Sequence, residues 1–241
     1  MRLIQIPHPR YFRQQSTQYA EAVQLVETFC AKMKRRYRHQ RDVPMRAIEL
    51  EMRARGFVEA LYELAMSGHL ARQYRREITA EFVEDMGERQ MEHYVLHIYY
   101  FKNAFIRVFS VLDKLGTFAN QLLELKTEKV KQRFSYFTVL RRMHETNQHG
   151  YLANQLTEYK QHAQEPLHRL RVKRNLEIHA MNSEQTDDLA YANHSFVEKS
   201  RVEALDSNLQ DLEVACRMVC LSLAEIFRYG IRVIADMHPA E

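Results

Sequence analysis

At 241 residues the chain can hold one large or two small domains around a substantial core. Hydrophobic residues make up 46% and charged residues 27%, an ordinary globular balance, while six Gly and five Pro are too few for a turn-rich β protein. A net charge of +4 is compatible with a nucleic-acid partner but does not demand one. The helix formers Ala, Leu, Glu, Gln, Arg, Lys and Met dominate, so the chain is expected to be all-α. Cys30, Cys216 and Cys220 are an odd set without a disulfide framework, which suits a reducing cytosol.

Residues 1–15 read as an extended lead-in, with Pro7 and Pro9 opposing an early helix. The stretch has no long apolar core and does not read as a signal peptide. Ser16 or Thr17 is expected to cap a first helix with Ala22, Val23, Val26, Phe29, Cys30 and Met33 on one stripe. That helix ends in a basic tail, Lys32 to Arg41, more often a solvated helix end than a ligand patch. A second helix is expected over 45–67, with Met45, Ile48, Leu50, Met52, Phe57, Leu61, Leu64 and Ala65 inward and Gly68 as its stop. Residues 69–89 are mixed, with room for a short helix from Thr79 to Met86. They mark the expected boundary between an N-terminal helical pair, 1–89, and a larger bundle, 90–241.

Residues 90–124 give the clearest long helix, its broad face running from Tyr94 through Phe101, Phe105, Leu112 and Leu122. Asp113 falls at the edge of its polar stripe, a position from which a carboxylate could orient a catalytic Arg or His, or pair locally with Arg107 or Lys114. His93 and His97 share a face at chelating spacing, but no third ligand is evident and a structural role is favoured, so no metal site is expected. A helix over 127–148, with Val130, Phe134, Phe137, Leu140 and Met143 inward, is expected to break at Gly150, and a shorter one fills 151–163.

Pro166 then opens the segment that concentrates the chemistry. His168, Arg169, Arg171, Lys173 and Arg174 form the densest cationic run beside a titratable group, followed by Asn175 and His179. Arg presents a permanent planar fork to phosphate, and His moves protons near neutral pH. A phosphate anchor beside a proton-transfer group is what phosphodiester cleavage without a metal requires. Asn175 and His179 share a helix face, whereas Arg174 and His179 stand about 140° apart. Arg174 and His179 converge on one phosphate only if Arg174 starts the helix or a second copy of the chain faces them. A polar loop, 182–194, carries Asp187 and Asp188, which would repel a phosphate. A short helix over 195–202 and a long apolar helix over 204–236 close the chain. No apolar run approaches the roughly 18 residues that span a bilayer, so a cytoplasmic protein is expected.

Arg174, Asn175 and His179 match the R-N-x-x-x-H form of the Arg-to-His motif of HEPN domains, and residues from about 90 to 236 resemble a bacterial branch of that family. The resemblance implies an up-and-down helical bundle of HEPN type, here with the additional N-terminal helical pair, and a homodimer. Many HEPN proteins are metal-independent ribonucleases of toxin–antitoxin, defence and RNA-processing systems; others keep the fold without demonstrated catalysis. On this reading His179 is the general base or acid, Arg174 holds the phosphate, and Asn175 orients it. Asp113 is a further candidate, and Arg169, Arg171 and Lys173 would bind RNA. No cofactor is implied. An antitoxin or other protein is a possible partner, and a non-catalytic module binding RNA, a nucleotide or a protein is the alternative. A helical scaffold in which the motif is incidental is a third reading. No Gly-rich phosphate loop and no Ser or Cys nucleophile setting is present, which disfavours triphosphate hydrolysis and acyl transfer.

Overall fold

The structure, a computed structural model, describes residues 6–40, 42–179 and 203–236. Its helices are α1 (Pro9–Gln15), α2 (Thr17–Tyr37), α3 (Met45–Arg76), α4 (Glu88–Leu122), α5 (Tyr136–Glu145), α6 (Gly150–His162), α7 (Gln164–His179) and α8 (Glu203–Asp236). Single 3₁₀ turns lie at Val83–Asp85 and Thr127–Lys129. Among the described residues there is no strand, and the described chain is all-α. The expected short helix over 195–202 and the 182–194 loop lie outside the described residues.

Several punctuation residues act otherwise than expected. Pro9 starts α1 instead of opposing a helix, because the first helical position needs no amide hydrogen, and His8 Nδ1 accepts from the Arg10 N–H at 3.3 Å. Gly68 does not stop α3. The buried stripe continues past it through Leu70 and Ala71, and that burial outweighs the roughly 1 kcal/mol that an interior glycine costs. Met45, Ile48 and Met52, expected inward, are exposed on the first turns of α3. The predicted 127–148 helix begins only at Tyr136, where the Ser135 N–H donates to Thr138 Oγ1 at 3.4 Å, and Val130 is exposed. Gly150 opens α6 instead of closing α5. Between Thr79 and Met86 the backbone forms a 3₁₀ turn in place of the expected short helix. Ser16, by contrast, caps α2 as predicted, its hydroxyl accepting from the Tyr19 N–H at 3.2 Å.

The described chain divides into two compact units. The first takes Leu64–Arg107 and the described part of Ala163–Cys216; the second takes His8–Glu63, Val108–His162 and the described part of Arg217–Glu241. Each of α3, α4 and α8 therefore gives one half to each unit. The expected boundary region, 69–89, falls inside the first unit's continuous segment.

The second unit is built around four phenylalanine rings, one each from α2, α3, α4 and α8: Phe29, Phe57, Phe118 and Phe227. Phe118 and Phe227 stack at 4.7 Å, and the remaining contacts run edge-to-face between 5.2 and 5.8 Å. Gly116 lets α5 begin directly against α4; a Cβ there would stand 2.7 Å from Tyr136 Cα. Arg46 donates to the Gln121 carbonyl at 2.7 Å and pairs with Glu124, satisfying the open end of α4.

The first unit combines buried apolar side chains with polar ties between its helices. Ile78 and Leu205 form an apolar centre with Val83, Met86, Tyr94 and Ile98. Arg75 donates to the Ile78 carbonyl and to Asp206, each at 2.7 Å. Arg72 approaches Glu213 at 3.9 Å, and Tyr74 stacks on Tyr100 at 5.7 Å.

Candidate functional site

The motif lies on α7. Pro166 sits in the first turn, where its missing amide hydrogen has no intrahelical acceptor to lose, and Glu165 complements the positive helix start. Ala163, Leu167 and Leu170 form the buried stripe. Arg174 occupies the next position of that stripe, and Glu177 follows it at i+3; both are half-buried. The cation that would anchor phosphate therefore points to the packed side of its helix. Its guanidinium turns along the helix to Asn175 Oδ1, with Nη2 at 2.8 Å and Nε at 3.2 Å. Asn175 itself is exposed.

Arg174 is well inside α7, so it is not the helix-start residue that would let it meet His179 within one chain. On a regular helix the two remain about 140° apart, with His179 on the side of Asn175. His179 closes the helix, and its side chain lies outside the described residues. The remaining route to convergence is a second copy of the chain.

Two neighbouring charges on α7 are held in ion pairs to other helices. Arg169 makes a two-pronged bond to Asp211, both contacts at 2.7 Å, and this carboxylate raises the Arg169 pKa further above its ordinary value. Asp211 is buried and so holds Arg169 as a strut between α7 and α8. Glu177, inside the motif, meets Lys102 of α4 at 3.0 Å with both side chains mostly covered. Arg171 is exposed and Lys173 half-buried. Neither Asp211 nor the Lys102–Glu177 pair was singled out from the sequence. The available sign was that each places a carboxylate on a helix face otherwise used for packing, which requires a partner.

Asp113 is exposed on α4 and belongs to the second unit, whereas the motif belongs to the first; its backbone carbonyl accepts from Thr117 Oγ1 at 3.1 Å. His97 is fully buried; its Nδ1–H donates to the Ala71 carbonyl at 2.8 Å and its ring lies parallel to Phe101. Desolvation lowers its pKa and keeps it neutral. His93 packs at 5.8 Å from Tyr74. Among the described residues no group of three or more His, Cys, Asp or Glu side chains is placed to hold a metal ion, and no helix is long and apolar enough to cross a membrane. Burial pushes the Cys30 thiol up to about 11, away from nucleophilic or ligating chemistry.

Neither the curated proteins nor the solved structures contain a match to the chain. The profile of the HEPN_Cthe2314-like HEPN family matches residues 54–230, which includes all of α7, most of α3, and α4 to α6. Three-quarters of the chain is thus covered, motif included, and the protein belongs to the HEPN family.

Proposed function

We propose that the protein is a metal-independent endoribonuclease of HEPN type that acts as a homodimer. The observation that carries this reading is the family match across an intact Arg174, Asn175 and His179 on one continuous helix. His179 takes the proton from a ribose 2′-hydroxyl as its oxygen attacks the adjacent phosphorus. The bond to the 5′-oxygen breaks, that oxygen receives a proton, and a 2′,3′-cyclic phosphate and a 5′-hydroxyl result. Arg174 stabilises the charge developing on the phosphoryl oxygens, and Asn175 orients Arg174 through the hydrogen bonds already in place. The angular separation of Arg174 and His179 is met by a second copy, so each phosphate is held between two α7 helices. Arg171 and Lys173 attract the RNA backbone, and Arg169, held by Asp211, fixes the helix that carries them. A defence or toxin–antitoxin setting, in the cytoplasm and with a protein antitoxin, fits such an activity.

A second reading, a non-catalytic module that binds RNA, is favoured by one observation: the Arg174 guanidinium is engaged by Asn175 and lies on the packed face. Cleavage of RNA in excess EDTA by purified protein, beside a His179→Ala variant of unchanged fold and oligomeric state, separates the two. Cleavage that disappears in the variant supports the nuclease. Equal cleavage by both proteins removes His179 from the mechanism, and none from either favours the binding module.

A further inference from the structure

Several arginines of the chain end on carboxylates: Arg13 on Glu27, Arg46 on Glu124, Arg75 on Asp206, Arg169 on Asp211, and Arg228 on Glu21 and Glu225. Arg232, in the second unit, is different. Its guanidinium carbon lies 5.9 Å from the ring centre of Tyr151 and 5.5 Å from that of Tyr229. Among the described residues it makes no ion pair and no hydrogen bond. Stacking on aromatic faces fixes a guanidinium while leaving its in-plane N–H edge unused, the geometry that a phosphate takes up in a two-pronged contact.

The rings around it are themselves held in place. Tyr229 stands one turn before Arg232 on α8, and its hydroxyl lies 2.8 Å from His149 Nδ1. The His149 ring meets Tyr229 edge-on at 5.4 Å. His149 has φ 57°, in the left-handed region that residues with a side chain rarely adopt, at the junction of α5 and α6. Its carbonyl accepts from the Ala153 N–H at 3.0 Å, so this unusual backbone starts α6 and carries Tyr151 with it. Tyr151 is 61% exposed and sits two residues from the strained position.

We propose that Tyr151, Arg232 and Tyr229, braced by His149, form a nucleotide-binding subsite for single-stranded RNA. An unstacked base lies on the exposed Tyr151 ring, and the adjoining phosphate takes the N–H edge of Arg232. Only a single strand offers a base face for this, and every base has one, so the subsite is tolerant of sequence. The choice of RNA rests on the function proposed above, but the subsite does not depend on cleavage. It uses none of the motif residues and would hold the strand in a binding module as well as in a nuclease.

The test is fluorescence anisotropy of a labelled, mixed-sequence oligoribonucleotide of about ten nucleotides with the full chain over a series of salt concentrations. Loss of one stacking contact is expected to weaken binding roughly 5- to 150-fold in Tyr151→Ala, while Tyr151→Phe binds as the wild type does. Arg232→Ala is expected to lower affinity and flatten the salt slope by about 0.7, the contribution of one phosphate contact on a single strand. Arg232→Lys keeps that slope. Circular dichroism and thermal midpoints confirm that each variant is folded. No binding by the wild type overturns the subsite, as does equal affinity in wild type and Tyr151→Ala. Binding that depends on Tyr151 in a chain that never cleaves RNA in EDTA supports the subsite and overturns only the nuclease.

Discussion

The second unit centres on packed phenylalanine rings, whereas in the unit that carries the motif the helix holding it is tied to its neighbours by two ion pairs, Arg169–Asp211 and Lys102–Glu177. In the second unit, Phe118 and Phe227 stack at 4.7 Å within an aromatic centre drawn from four helices. In the first, Arg75, Arg169 and Lys102 reach Asp206, Asp211 and Glu177 at 2.7 to 3.0 Å. Apolar packing is insensitive to salt and pH, but ion pairs and buried imidazoles are sensitive to both. The unit that carries the motif also holds His69 and His97, whose pKa values burial lowers.

The largest break in this comparison is expected from Phe227→Ala, which removes a ring contacted by three others. A loss of about 3 to 5 kcal/mol is expected, read as a shift in the urea midpoint. A change below about 1 kcal/mol would mean that the aromatic centre is not what closes the second unit.

A smaller effect is expected from pH, confined to the first unit. Desolvation lowers the His97 pKa below 6.5, and the His69 pKa is lowered by desolvation and then by Arg72 and Arg76. The unfolded chain therefore binds more protons than the folded one just below pH 6.5, so stability rises with pH there. It is present in full above the unfolded value and is lost as pH falls from 6.5 toward the lowered folded values. Hydrogen exchange should show α3 beyond Leu64 and the first half of α4 opening on acidification before α2 does. His97→Gln, which keeps a donor for the Ala71 carbonyl without a titrating ring, should flatten that response. An equal response in both units would sink the distinction.

The smallest effect is expected from salt. At about 1 M the screening length falls to roughly 3 Å, and the exposed ends of the first unit's pairs weaken. Exchange in α7 should quicken, and Asp211→Asn should reproduce the change at low salt by taking away the charge that Arg169 grips. Unchanged α7 protection in that variant would show that apolar packing alone holds the helix.

The helices were legible because burial leaves a repeat in the sequence. Ala22, Val23, Val26, Phe29 and Met33 are buried as their spacing demands, and so is the run from Phe101 to Leu122. Helix ends were less legible. Pro9, Gly68 and Gly150 carry local preferences of about 1 kcal/mol or less when placed compatibly, and the packing of neighbouring turns decides which preference is used. The exposed Met45, Ile48 and Met52 show the same limit, since an apolar residue does not reveal whether a partner covers it. Of the site, the motif residues and their helix were readable, whereas the side to which Arg174 points was not. That side follows from its register with Leu167 and Leu170, which becomes visible only when the true start of α7 is known. The Arg232 cluster was invisible for a different reason. Tyr151 and Tyr229 are far apart in the chain, and no local pattern announces a contact across that distance.

Gly116 has a consequence for how the second unit behaves when warmed. Where a Cβ would stand 2.7 Å from Tyr136 Cα, α4 and the start of α5 meet main chain to main chain. Side-chain interfaces give up rotamer freedom on folding and regain it as the temperature rises; a crossing without a side chain has none to give up or regain. The spacing there is fixed by atomic radii alone. A methyl group at residue 116 would have no rotamer through which to relieve the clash, so the start of α5 would have to move off α4.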